Sequence, residues 1–186
     1  MEAFLVSIAV VAVGEIGDKT QLLALLLAAR FRRRWPIVFG ILVATLANHT
    51  LAGALGAWIR EVVPATWLRW LVAGSFFGMA LWALKPDRVD ERHDEDRGRF
   101  GVFAVTAISF FMAEMGDKTQ IATVALAAQF KNLPAVIAGT TAGMLVADVP
   151  VVWLGRAVAA KIPLSAARLT AAAIFAALAL VAIFAA

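Results

Sequence analysis

Six long apolar runs occupy most of this sequence, and they restrict its fold more than any other feature does. A transmembrane helix needs about 20 consecutive, mostly apolar residues. The six runs lie at about 3–29, 36–59, 66–84, 100–130, 134–158 and 163–184. Hydrophobic residues make up 62% of the 186 residues and charged residues only 16%, a balance that a water-soluble domain of this size could not bury. The sequence therefore predicts an all-α polytopic membrane protein with six transmembrane helices.

The chain contains an internal duplication with an offset of 99 residues. Residues 15–21, EIGDKTQ, match residues 114–120, EMGDKTQ, at six of seven positions, and without a gap the match extends to 14 of 42 positions over residues 15–56. Each half holds three apolar runs, and an odd number of spans makes the second half enter the membrane from the opposite side. We therefore predict two inverted three-helix repeats, at 1–84 and 100–186, joined by a charged linker at 85–99. Transporters built in this way bind substrate near the bilayer midplane, where the repeats meet.

The positions of Lys and Arg predict the orientation of the chain. The loops after the first, third and fifth runs hold twelve of them, and the opposite side holds three. Cytoplasmic loops carry an excess of these residues, so we expect both termini outside and the central loop in the cytoplasm.

The net charge of +4 arises from these membrane flanks and does not indicate nucleic acid. The linker mixes both signs of charge and is interpreted as a solvated connection, with a regulatory cation site at residues 93–96 as the alternative.

Charged residues lie in the middle of two apolar runs. Glu15 is the thirteenth residue of the first run, and Glu114 is the fifteenth of the fourth. A charge at that depth costs at least about 2.5–3.5 kcal/mol. Helical spacing would place Glu15, Asp18 and Lys19 on one face, with the lysine partly neutralising its own motif, and the second motif repeats the pattern. The two motifs then leave a formal surplus of −2, which one divalent cation would cancel; the alternative interpretation is a set of structural ion pairs.

Oxygen-bearing side chains in and near the two motifs form the predicted cation site. The candidate metal ligands are Glu15, Asp18, Thr20, Gln21, Asn48, Glu114, Asp117, Thr119, Gln120 and Asp148. Carboxylate, hydroxyl and amide oxygens suit Mn²⁺, Ca²⁺ or Mg²⁺. Asp148 is a candidate for metal ligation or proton transfer, and His49, its counterpart in the first half, for packing or a proton relay. Local unwinding at Gly17 and Gly116 would add backbone carbonyls to the site.

The sequence favours secondary transport over enzymatic activity. It has no cysteine, no nucleotide-binding block and no nucleophile–base set within the runs, so we expect neither an enzyme nor a resident cofactor. Carboxylates that must lose protons to bind metal would couple cation export to a counter-flow of H⁺. The alternatives are a six-span exporter of a small organic solute and a non-transporting membrane scaffold or assembly factor. The oligomeric state stays open, a homo-oligomer included.

Two Glu-x-Gly-Asp-Lys-Thr blocks, in the first and fourth of the six runs, closely resemble the GDT family of manganese/calcium transporters. The resemblance covers essentially the whole chain. It implies a two-repeat α-helical fold, a cation site formed by the acidic motifs, cation/proton exchange, and Mn²⁺ efflux as the bacterial role. It assigns the site to Glu15, Gly17, Asp18, Lys19, Thr20, Glu114, Gly116, Asp117, Lys118 and Thr119. The short central loop and the lack of a long targeting extension suggest the inner (plasma) membrane of a bacterium.

Overall fold

The computed structural model describes residues 1–85, 101–154 and 164–184, which form eight α-helices. The helices are α1 (Glu2–Glu15), α2 (Lys19–Phe31), α3 (Arg34–Val62), α4 (Ala65–Ala83), α5 (Val102–Glu114), α6 (Lys118–Gln129), α7 (Leu133–Leu154) and α8 (Leu164–Phe184). The candidate regulatory site at 93–96, most of the linker and the end of the fifth predicted span lie outside the described residues. The predicted all-helical architecture is confirmed over the residues described.

Two of these helices, α3 and α7, are long and apolar enough to cross a membrane. Both pass through the centre of the molecule, where they contact each other and most of the other helices. Helix α5 and the 168–184 part of α8 are apolar but shorter. The two long helices therefore form the frame on which the shorter ones pack.

The first and fourth apolar runs are not continuous helices, so the expected alignment of each motif on one helical face is wrong. Helix α1 ends at Glu15 and α2 begins at Lys19, and α5 and α6 are interrupted at the same place in the second half. Gly17 has a φ of 80° and Gly116 a φ of 76°. An L residue in this left-handed region costs about 1–2 kcal/mol, whereas glycine adopts it readily. The unwinding considered at the two glycines is therefore present in both halves.

The two halves pack against each other through equivalent crossings. Helix α1 lies along α7, and α5 lies along α3. A Cβ atom at Gly40 would lie 2.9 Å from the carbonyl oxygen of Phe103, and one at Gly139 would lie 2.6 Å from that of Phe4. The four residues correspond pairwise under the 99-residue offset. Small residues therefore let the backbones touch at both crossings, as in other packed membrane helices.

Helices α4 and α8 form a separate pair at the side of the molecule. Their contact includes Phe76 and Phe175, whose ring centroids are 6.4 Å apart in a stacked arrangement. On its other face α4 exposes large apolar side chains, among them Trp67, Trp70 and Phe77. Such a surface suits contact with lipid. The charged motifs thus lie on the inner side of the bundle, between α3, α7 and the two interrupted helices.

Candidate cation site

The two helix breaks place the motif acids at helix ends. Glu15 and Glu114 are the last residues of α1 and α5, and Asp18 and Asp117 are the N-caps of α2 and α6. The side chain of Asp18 accepts a hydrogen bond from the backbone N–H of Lys19 at 2.7 Å. Asp is favoured at an N-cap because its oxygen satisfies an otherwise unpaired helix N–H. All four acids are buried, none more than 1% exposed.

Three of these carboxylates converge. One oxygen each from Glu15, Glu114 and Asp117 lie within 4.8 Å of one another. In each of the three residues one carboxylate oxygen has no hydrogen-bond partner among the residues described: Oε1 of Glu15 and Glu114, and Oδ2 of Asp117. Buried carboxylates this close repel one another unless a cation or protons neutralise them. The cluster combines both motifs, so it exists only where the two halves meet.

Each motif threonine holds the glutamate of its own motif. Thr20 Oγ1 donates to Glu15 Oε2 at 2.6 Å, and Thr119 Oγ1 donates to Glu114 Oε2 at 2.9 Å. The hydroxyls therefore act in this structure as donors that fix one glutamate oxygen. Each glutamate keeps its second oxygen for another partner.

Each motif glutamine spans the helix break of its own half. The Gly17 N–H donates to Gln21 Oε1 at 2.8 Å, and the Gly116 N–H donates to Gln120 Oε1 at 2.7 Å. These bonds satisfy a backbone group that the break releases from the helical pattern, which is necessary in the interior of a membrane protein. Both amide oxygens, predicted as metal ligands, are thus already in use.

The same glutamines also bind the opposite half. Gln21 Nε2 donates to the carbonyl oxygen of Ala147 at 2.9 Å, and Gln120 Nε2 donates to Asn48 Oδ1 at 2.5 Å. Positions 48 and 147 are equivalent under the 99-residue offset. Asn48 also donates through Nδ2 to the carbonyl of Phe111 at 3.3 Å. The asparagine, another predicted ligand, therefore links α3 to the second motif.

The motif lysines pair across the two halves, which corrects the prediction that each neutralises its own motif. Lys19 Nζ lies 3.2 Å from Asp117 Oδ1, and Lys118 Nζ lies 3.0 Å from Asp18 Oδ1. The predicted pairing required one continuous helix, and the break removes that geometry. The overall count is unchanged: four carboxylates and two ammonium groups leave a formal charge of −2.

Asp148 and His49 are buried on α7 and α3 but do not belong to the three-carboxylate cluster. Neither carboxylate oxygen of Asp148 and neither ring nitrogen of His49 has a hydrogen-bond partner among the residues described. Both side chains are 0% exposed. An unsatisfied buried carboxylate is costly, so Asp148 stays a candidate for binding a cation or a proton.

The structure also gives Arg60 a role that sequence reasoning missed. Its Nη1 donates to the carbonyl oxygens of Ala127 at 2.7 Å and Phe130 at 2.6 Å, at the C-terminal end of α6. In the sequence, Arg60 is distinguished only as one of the three Lys and Arg residues on the predicted outer side. No pattern within α3 signals a bond to the end of another helix.

Over the described residues the chain is all-helical, has helices long enough to span a membrane, and holds buried carboxylates between equivalent interrupted helices. This combination defines an ion-transporting membrane protein. The family described as "Divalent cation/proton antiporter GDT1" matches residues 3–91 and 102–186. The chain belongs to this family. Membership confirms the predicted resemblance and the prediction of a cation transporter in place of an enzyme.

Relatives of the chain occur in bacteria and plants. A Vibrio cholerae protein named "Putative manganese exporter" is 48% identical over 185 residues, which cover 99% of this chain and 92% of that protein. A GDT1-like protein of Synechocystis is 31% identical, covering 87% of each chain. GDT1-like protein 5 of Arabidopsis thaliana is 26% identical over 87% of this chain and 86% of its own length. No solved structure matches the chain.

Proposed function

We propose that this chain exports Mn²⁺ from the cytoplasm in exchange for H⁺, with Ca²⁺ as a second cation that the same site accepts. One observation carries the proposal: Glu15, Glu114 and Asp117 converge within 4.8 Å, and each keeps an oxygen that no described hydrogen-bond donor satisfies. Hard oxygen ligands of this kind suit Mn²⁺ and Ca²⁺. The name of the Vibrio cholerae relative favours manganese.

In this proposal the three converging carboxylates bind the cation directly, and the other motif residues hold them in place. Thr20 and Thr119 fix the two glutamates, and Gln21 and Gln120 stabilise the breaks. Asp18, Asp148 and Asn48 are the remaining members of the predicted ligand set.

Exchange with protons follows from the charge of the site. One divalent cation or two protons cancel the same surplus of −2. Burying that surplus uncompensated would be costly, so release of the cation favours uptake of protons. The two ions therefore compete for the same oxygens, which is the basis of antiport.

The equivalent contacts of the two halves support the predicted six-span topology with inverted repeats at 1–84 and 100–186. Each interrupted helix pair, α1 with α2 and α5 with α6, then makes one span. The Lys and Arg distribution supports outside termini and a cytoplasmic connection between α2 and α3 in the plasma membrane.

The helices that follow the two breaks, α2 and α6, differ in the fraction of their residues that is buried. Eight of the twelve residues of α6 are buried, against four of the thirteen of α2. The Lys118 side chain is 6% exposed, whereas that of Lys19 is 27% exposed. We infer that the structure represents a state closed along α6 and more accessible along α2, which the proposed topology places on the cytoplasmic side. Transport would then alternate the two arrangements.

The test is Mn²⁺ and Ca²⁺ flux into proteoliposomes with an imposed pH gradient, with a pH-sensitive dye inside. Wild type should move Mn²⁺ against a counter-flow of H⁺, and Glu114→Gln should slow this about 100-fold, equivalent to about 2.7 kcal/mol of lost interaction. Glu61→Gln is the matched control, because Glu61 is exposed near the end of α3. The proposal is wrong if folded wild-type protein moves neither ion, or if Glu114→Gln matches the control.

A further inference from the structure

A groove of about 710 Å³ lies apart from the cation site, between the end of α2, the start of α3 and the end of α7. Helices α3 and α7 are the two that can each cross a membrane, so the start of one and the end of the other mark a membrane surface. The groove therefore lies at the depth of the lipid headgroups.

Two arginines give the groove a positive charge. Arg32 and Arg34 belong to its lining, which includes no carboxylate among the described residues. Arg32 is held at the end of α2 by a left-handed backbone, with a φ of 52° and an N–H that donates to the Ala28 carbonyl at 3.1 Å. The guanidinium of Arg34 lies over the Trp153 ring, 5.2 Å from its centroid. This charge opposes entry of a metal cation and favours an anion.

The other described residues of the lining are aromatic or apolar. Trp35 and Trp153 meet edge to face with centroids 5.5 Å apart, and Leu25 and Val152 contribute aliphatic surface. Tryptophan is enriched where a membrane protein meets the headgroup layer. A small soluble anion would leave the apolar part of the groove uncovered, whereas a lipid has both an anionic and an apolar portion.

We propose that this groove binds one anionic phospholipid. Its phosphate lies against Arg32 and Arg34, its glycerol region against the two tryptophans, and an acyl chain along Leu25 and Val152. Basic pockets between membrane helices are known to take anionic headgroups. The bound lipid would add to the existing contact between α7 and α2, which has few buried residues.

The test measures lipid binding to the purified full-length protein by native mass spectrometry, with dioleoyl-phosphatidylglycerol and dioleoyl-phosphatidylcholine as probes. The variants are Arg34→Gln and Arg32→Gln, with Arg33→Gln as the matched control. Arg33 carries the same charge in the same segment, is exposed, and does not line the groove. We expect phosphatidylglycerol to bind at least tenfold more tightly than phosphatidylcholine, and Arg34→Gln and Arg32→Gln each to weaken it at least tenfold relative to Arg33→Gln.

Three results would overturn the proposal. Equal binding of the two lipids would exclude recognition of the anionic headgroup. An equal loss in Arg33→Gln would show general surface charge and not a groove. Full competition by glycerol phosphate at the concentration of the lipid would identify a soluble anion as the occupant.

Discussion

The ammonium nitrogen of Lys19 lies 3.2 Å from Oδ1 of Asp117, so the lysine of the first motif pairs with the aspartate of the second. Lys118 and Asp18 make the reciprocal pair at 3.0 Å. Each motif lysine therefore pairs with the aspartate of the other motif. The charged centre of the molecule is therefore shared between the halves. Lys19 connects α2 to the N-cap residue of α6, and Lys118 connects α6 to the N-cap residue of α2.

The crossed pairing can be tested by double-mutant cycles on unfolding free energy in detergent. Lys118 and Asp18 are both buried, so losing one partner should cost about 3–5 kcal/mol. We expect Lys118→Gln and Asp18→Asn to couple by about 0.5–3 kcal/mol. The cycle of Lys118→Gln with Asp117→Asn is the control for pairing within one motif. A larger coupling within the motif than across the motifs would contradict the structure.

Replacing Gly116 by alanine should destabilise the break through the backbone alone. A Cβ there would meet no atom within 4 Å, but φ is 76°, so we expect a loss of about 1–2 kcal/mol and slower Mn²⁺ transport. Gly78→Ala is the control, since Gly78 also has open space but an ordinary φ. Thermal unfolding and proteoliposome flux measure the two effects. A Gly116→Ala variant as stable as Gly78→Ala would show that the break tolerates an L residue.

Alanine at Gly139 should disturb the crossing of α1 and α7. Its Cβ would lie 2.6 Å from the Phe4 carbonyl oxygen, and backbone cannot move aside as a side chain can, so we expect a destabilisation of about 1–3 kcal/mol. Gly40→Ala at the equivalent crossing should behave similarly. Gly74→Ala, which lies within α4 and meets nothing within 4 Å, should not lower the unfolding midpoint, because alanine is the better helix former. Stability of Gly139→Ala equal to that of Gly74→Ala would rule out this close contact.

Removing the Thr119 hydroxyl should weaken cation binding without unfolding the protein. Thr119 fixes Glu114 Oε2, and a hydrogen bond to a charged group contributes about 1.5–3 kcal/mol, so Thr119→Val should raise the KM for Mn²⁺ at least tenfold. Thr123→Val is the control, because Thr123 is also buried but donates only to the carbonyl of Thr119 within α6. Equal KM values in the two variants would mean that the hydroxyl does not position the glutamate.

Loss of Arg60 should loosen the end of α6. Arg60→Met removes both hydrogen bonds to the Ala127 and Phe130 carbonyls. The chain has no cysteine, so a single Ala128→Cys gives a clean probe at a buried position. We expect several-fold faster thiol labelling at residue 128 in Arg60→Met than in Lys131→Met, which removes an exposed charge beside the same helix end. Identical labelling rates would show that Arg60 does not hold α6 closed.

Much of this architecture was predictable because it is set by residue type along one chain. Apolar length predicts helices, and the repeated motif predicts equivalent halves and a charged centre. The identity of Glu15 and Glu114 as central acids follows from their depth in the runs.

The pairing of those charges was not predictable from spacing. Spacing rules assume a continuous helix. Whether a helix breaks at a glycine depends on whether the backbone groups freed by the break find other hydrogen-bond partners. Here Gln21 and Gln120 provide those partners. Once the helix breaks, Lys19 belongs to a different helix from Glu15 and reaches the other half. The bond from Arg60 to α6 likewise depends on how two distant helices end side by side.

The crossed ion pairs limit how the two halves can diverge. After a duplication, each copy normally accumulates substitutions independently. Here a replacement of Lys19 removes the ion-pair partner of Asp117, which lies in the other copy. Compensation must therefore arise in the partner repeat and not locally. The crossed pairs therefore tie the two motifs together as one unit.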